Sequence, residues 1–153
     1  MNREILFRGK RVDNGEWVYG DLIHRQIWNC SLTVIRVSDD GFDHYEEFEV
    51  KPETVGQFTG LHDMTTFKSI FESDILKIIS SVKGEIDDYT RFCKSVNRED
   101  YAVVLRDNKT GGYKLKVYHE GKYKRIAKFA VGHLIVYKAE VIGNIYDNKE
   151  LLK

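Results

Sequence analysis

In a chain of 153 residues, 42% hydrophobic side chains are enough to build a core, which excludes a disordered segment. Lys and Arg total 24 against 24 Asp and Glu, so the charges cancel, and the longest apolar stretch, 129–146, is broken by His133, Lys138 and Glu140, which excludes a membrane-spanning helix. A single proline, twelve glycines, nine Tyr and eight Phe favour strands joined by glycine turns over a helical bundle.

The charge is unevenly spread. Residues 1–60 carry 7 basic and 11 acidic side chains, residues 61–153 carry 17 and 13, and residues 101–138 alone carry 9 against 2. Met1-Asn2-Arg3-Glu4 has no apolar run behind it, so no signal peptide is expected and the expected location is the cytoplasm. Cys30 and Cys93 stand in unrelated contexts, which suits reduced, partly buried thiols.

Taken in chain order, Ile5–Arg11 and Glu16–His24 flank Asp13-Asn14-Gly15, a pair tolerant of positive φ, and predict a first hairpin. Leu32–Val37 and Tyr45–Val50 flank Ser38-Asp39-Asp40-Gly41 and predict a second, acidic one, ended by Pro52 because proline cannot donate to a ladder. Trp28 has exposure at an interface as its alternative, where tryptophan is overrepresented, but core is the expectation for both Trp17 and Trp28. Glu53–Leu61 reads as a short strand or bend. Ser69–Ser80 reads as a strand, and Ile75, Leu76, Ile78 and Ile79 are too uniformly apolar for a solvated face, which places it inside a sheet. From about Ile86 to Asn97 the period changes: Ile86, Tyr89, Phe92, Cys93 and Val96 recur at helical spacing, with Asp87 and Asp88 early and Lys94 and Arg98 late, as the helix dipole favours. After Tyr101 the glycines of Asn108-Lys109-Thr110-Gly111-Gly112 and Glu120-Gly121 punctuate a meander of strands, and Asn148 is placed to cap a final turn through Leu152. Two echoes suggest an internal duplication. Val55-Gly56-Gln57-Phe58 matches Val141-Ile142-Gly143-Asn144-Ile145, and Val18–Ile23 matches Phe71–Leu76, each of the latter with an aspartate leaving a turn.

Phe7-Arg8-Gly9-Lys10-Arg11, Thr59-Gly60-Leu61-His62-Asp63, Ile70–Ile78 and Val141–Leu152 together resemble the YopX family of phage and prophage proteins. The resemblance implies a mostly β structure, a small SH3-like barrel in the C-terminal part and a gene carried by a phage or prophage. It brings no catalytic residues. Where that family runs through Glu-Gly-Asp after a tyrosine, this chain has Phe71-Glu72-Ser73-Asp74, and serine for glycine implies a turn that does not need positive φ. The loop Met64–Ser69 also departs from the family's Asn-Gly type of turn.

The reading is therefore a mainly β protein of antiparallel hairpins plus an SH3-like small barrel with one inserted amphipathic helix. Residues 1–60 form an acidic hairpin region and 61–153 the barrel region. Asp21, Glu72, Asp74 and Asp147 sit beside turns, where a carboxylate more often binds local amides than a cation. His24, His44, His62, His119 and His133 show no zinc spacing, no glycine pattern fits a phosphate loop, and no nucleophile has a base nearby, so no metal, cofactor or catalytic residue is expected. Binding or assembly is expected instead of catalysis. Lys114, Lys116, Lys122, Tyr123, Lys124, Arg125 and Lys128 interleave charge with aromatics in the manner of nucleic-acid-binding barrels, though alternation is also what a solvated strand shows. The competing partners are a second copy of the chain, through the acidic hairpin or exposed strand edges, and a host or phage protein.

Overall fold

Asp13-Asn14-Gly15 turns the chain through a left-handed Gly15 (φ 75°), closing the hairpin of β1 (Phe7–Lys10) and β2 (Trp17–Ile27) in the register Lys10↔Trp17 to Phe7↔Gly20. The computed structural model describes residues 4–38, 44–63, 65–78, 101–119, 121–128 and 139–153, and the helix expected at Ile86–Asn97 lies outside them. Two compact units result, Met1–Gly60 and Leu61–Lys153.

In the first unit β2 runs on into a second hairpin with β3 (Cys30–Ser38), which pairs in turn with β4 (Tyr45–Glu49). The two expected hairpins are thus one continuous meander, and β5 (Gly56–His62) adds to the other side of β1, giving the order β4-β3-β2-β1-β5. Pro52 opens a single 3-10 turn, Pro52–Thr54, whose Thr54 hydroxyl accepts from Lys10 N at 2.9 Å. Ile35, Val50 and Phe58 are buried here. Gly9 is required for that packing, because a Cβ at this position would meet the Val50 side chain at 2.9 Å. Its neighbour Arg8 is buried with the guanidinium 4.7 Å from the centre of the Trp17 ring. Trp17 is half-buried, whereas Trp28, also expected in the core, is 94% exposed. It occupies a two-residue turn at the hairpin tip, where no sheet face can cover it. Cys30 beside it is exposed too, contrary to the partly buried thiol expected.

In the second unit the single strand expected over Ser69–Ser80 is broken into β6 (Ser69–Phe71) and β7 (Asp74–Ile78) by the turn Phe71–Asp74. Ser73 adopts φ 69° there, so the glycine position of the turn keeps its left-handed geometry with a serine in it. The fold holds it on both sides: Ser73 N donates to Val104 O at 2.8 Å, and Ser73 O accepts from Ile145 N at 3.0 Å. The Asp74 carboxylate accepts from Phe71 N at 2.8 Å, the turn-fixing role expected of it.

β8 (Tyr101–Arg106), β9 (Tyr113–His119), β10 (Lys122–Lys128) and β11 (Ala139–Asn144) complete an antiparallel sheet of order β10-β9-β8-β7-β11. Leu76, Ile78, Ala102, Val104, Leu115 and Val117 fill one side of it, and Ile75 and Val103, which alternate to the other, are buried as well. β7 is accordingly an interior strand. The sheet is not closed among the described residues: β10 pairs only with β9 and β11 only with β7, so these strands do not form the SH3-like barrel that was expected.

The tail is built from side-chain amides. Asn144 Oδ1 accepts from Tyr146 N and Asp147 N, and Asn148 Oδ1 accepts from Asn144 N at 3.2 Å. That approach leaves no room for a side chain on Gly143, where a Cβ would lie 2.1 Å from the Asn148 oxygen. The final turn, Lys149–Leu152, is 3-10, and Asn148 precedes it without a side-chain cap, its oxygen being used on Asn144. The duplication fails. Gly56-Gln57 begins β5 against β1, Gly143-Asn144 ends β11 against β7, and Asp21 lies within β2 rather than after a turn.

The least exposed acid is Asp63, between β5 and β6. Its carboxylate accepts from Thr65 N (3.0 Å), Thr66 N (2.5 Å), the Thr66 hydroxyl (2.6 Å) and Val141 N (3.1 Å). Burial pushes its pKa up, but the hydrogen bonds from Thr66, Val141 and Thr65 outweigh that and hold it below the usual carboxylate value. Two measurements follow from these positions. Ser73→Gly should raise stability to urea by about 1 kcal/mol, since glycine adopts the left-handed conformation without the cost a Cβ brings. Because the Asp63 pKa is depressed by folding, its contribution is present above the unfolded value, near 3.9, and lost as pH falls through the folded one. Asp63→Asn, which turns an amide N–H toward donors, should cost about 2–4 kcal/mol at neutral pH and flatten the acid limb of a stability-versus-pH curve.

Candidate nucleic-acid interface

Alternation along β9 sends Tyr113, Leu115 and Val117 into the core and leaves Lys114, Lys116 and Tyr118 on the opposite face. The register then decides what stands beside them. Tyr118 is opposite Tyr101 of β8 on one side and Tyr123 of β10 on the other, so three tyrosines form one row across three strands. Lys77 of β7, exposed, continues the row beyond Tyr101. Tyr123 is 56% exposed and Tyr101 and Tyr118 are half-buried.

Lys116 lies two residues along the strand, its Nζ 5.3 Å from the centre of the Tyr118 ring and 5.6 Å from that of Tyr123. Hydrogen bonding to Tyr118 raises the Lys116 pKa above its ordinary value, which keeps the ammonium charged. Lys114 approaches Asp107 at 4.0 Å. Asp107 itself anchors the β8–β9 turn: Lys109 N and the Thr110 hydroxyl donate to it and hold its carboxyl below the usual range.

Of the other residues singled out in the sequence, Lys122 is exposed at the start of β10, opposite His119. The β10 register places Lys128 opposite Lys114 and Arg125 opposite the core residue Val117, with Lys124 at a bulge between Tyr123 and Arg125. Tyr101 and Tyr118 were not among those candidates. Tyr118 carries a signal in sequence, since it follows Lys116 by two residues and so shares its face, whereas Tyr101 joins the row only through pairing with a strand twelve residues further on.

Part of the acidic charge of the first unit is met within that unit. Glu47 pairs with Arg25 and Arg36, each at 2.7 Å, and Asp13 with Arg11 at 2.5 Å. A surface depression of about 390 Å³ lies here, lined by Arg11, Val12, Asp13, Glu47, Phe48 and Glu49, with the Arg11 guanidinium 4.3 Å from the centre of the Phe48 ring. Of the turn acids, Glu72 faces Arg106 at 3.9 Å and Asp147 accepts from the Asn144 amide at 2.9 Å. Among the described residues no cluster of three His, Cys, Asp or Glu could hold a metal, and no helix is long and apolar enough to cross a membrane.

Sheet and surface together define a two-unit antiparallel β protein that presents a lysine-bearing aromatic row. The chain matches the family described as "YopX protein" over residues 6–153, and it belongs to that family. Among solved structures it is similar to "protein EF1440 from Enterococcus faecalis", 20% identical, with a TM-score of 0.49 over 99% of this chain and 100% of that one. No curated protein matches the sequence significantly.

The row makes a spectroscopic prediction. Ring currents of Tyr118 and Tyr123 should move the Lys116 ε-methylene protons upfield in the NMR spectrum, and Tyr118→Leu should return much of that shift while the core resonances of Leu115 and Val117 stay in place.

Proposed function

We propose that this YopX-family protein acts by binding, and that its ligand is single-stranded nucleic acid taken on the outer face of β8, β9 and β10. The observation that carries the reading is the tyrosine row Tyr101-Tyr118-Tyr123 with Lys116 beside two of its rings. Flat rings on a sheet surface accept the faces of unstacked bases whatever their sequence, and lysines alongside meet the phosphates. Lys114 and Lys116 share that face, Lys122 stands at its end, and Lys124, Arg125 and Lys128 add charge along the adjacent strand. Membership of the family supports a phage or prophage accessory protein working in the cytoplasm of the host cell.

Fluorescence anisotropy with a labelled oligonucleotide tests the reading. The protein should bind at low salt and lose affinity steeply as salt rises, because each phosphate contact releases a counterion. Tyr123→Ala should weaken binding by about 1–3 kcal/mol without altering the salt slope, as expected of a stacked base. Lys116→Gln should weaken it and also reduce the slope by about one. A protein that ignores oligonucleotides at low salt would remove this function.

A further inference from the structure

β1 covers β2 only at Trp17–Gly20, and β4 covers β3 only at Val34–Ser38. Beyond those limits no strand lies against the outer edges of Asp21–Ile27 and Cys30–Leu32 among the described residues, so a two-stranded arm, His24–Ile27 against Cys30–Thr33, leaves the sheet, its base marked by the Thr33 carbonyl, which accepts from Val50 N. Every residue from His24 to Ser31 is exposed. Such a ribbon is marginal in water by itself, since neither face is buried.

Three features of the arm argue that something covers it. The tip is Trp28, 94% exposed with φ 53°, followed by Asn29 without a positive φ. A two-residue hairpin with a left-handed first position is one that glycine normally begins, so the largest side chain stands where the smallest is favoured. Ile27 beside it is 45% exposed. Finally, edge strands are usually protected by lysine, proline, inward charge or a bulge. Leu22–Val34 contains none of these: its one charged residue is Arg25, in a chain that is 31% charged, and Arg25 is paired with Glu47.

We propose that the arm is a self-association element, and that a second copy of this chain pairs its own Asp21–Ile27 edge antiparallel to this one and packs against Ile27 and Trp28. Charge decides the occupant. Asp21 and Arg25 are the charged side chains of Asp21–Thr33 and balance each other, which gives phosphates or anionic lipid no basic excess to bind, while a neutral β edge is the complement of an identical neutral β edge about a twofold axis. The oligonucleotide reading above does not depend on this surface, which lies on other strands.

Analytical ultracentrifugation of the full chain tests the proposal. The wild type should sediment as a dimer, at twice 17.9 kDa. Trp28→Gly, which suits the backbone conformation, should weaken the dimer by about tenfold or more with an unchanged far-UV spectrum. Should that variant misfold, Ile27→Lys puts like charges into the contact and should have the same effect. Hydrogen exchange on the unaltered protein needs no variant: the amides of Leu22–Ile27 should slow as concentration rises. A wild type that stays at single-chain mass, variants that dimerise as well as the wild type, or arm amides indifferent to concentration would each overturn the proposal. A monomer whose Trp28 fluorescence shifts on anionic vesicles would overturn it as well and give the tip to a lipid surface.

Discussion

A carboxylate withdrawn from water organises the second unit. Asp63 is fully buried, and it survives there because four donors face it. Three belong to its own loop and fix the turn into β6, including the left-handed Phe67 (φ 56°) that follows Thr66. The fourth, Val141 N, is 78 residues away, so a local turn and an edge strand are secured by one side chain. An ionised carboxylate can satisfy all four donors at once, and no neutral side chain of that size can.

Around this anchor two of the segments that carry the family resemblance, Ile70–Ile78 and Val141–Leu152, lie beside one another. Asp74 pairs with Asn144 and Lys77 with Glu140 along β7 and β11, and the Ser73 carbonyl receives Ile145 N. The Phe71–Asp74 turn and the tail therefore form a single junction, in which backbone groups left over by a tight turn are taken up by asparagine side chains. That is structural work. It accounts for the Gly-Asn pair of the tail without assigning it any chemistry.

Surface charge follows a different logic in the two units. In the first, acidic and basic groups find each other across β2, β3 and β4, where Glu47 meets both Arg25 and Arg36, while residues 1–60 keep their net charge of −4. In the second, lysines on β9 stand among aromatic rings, with Asp107 the neighbouring acid of Lys114. It is the aromatic company of these lysines on which the functional reading rests.

Much of this was legible in one dimension. Asn14-Gly15, Pro52, the alternation of Tyr113–Tyr118 and the apolar Ile75, Leu76 and Ile78 follow from local rules of turn and strand, and they determined the β class, the hairpins and which β9 residues face outward. What those rules cannot see is pairing between distant strands. Trp28 reads as core by its composition, yet it sits on an arm whose edges the neighbouring strands do not reach. Ser73 reads as relaxing the turn, yet hydrogen bonds with Val104 of β8 and with Ile145, just past β11, hold it left-handed. Tyr101 becomes part of a row only because β8 and β9 meet in one register out of several. The sequence by itself determined periodicity, which is set residue by residue. Only the tertiary structure decided adjacency and exposure, because hydrogen bonding between strands far apart in the chain, and not any local preference, fixes register.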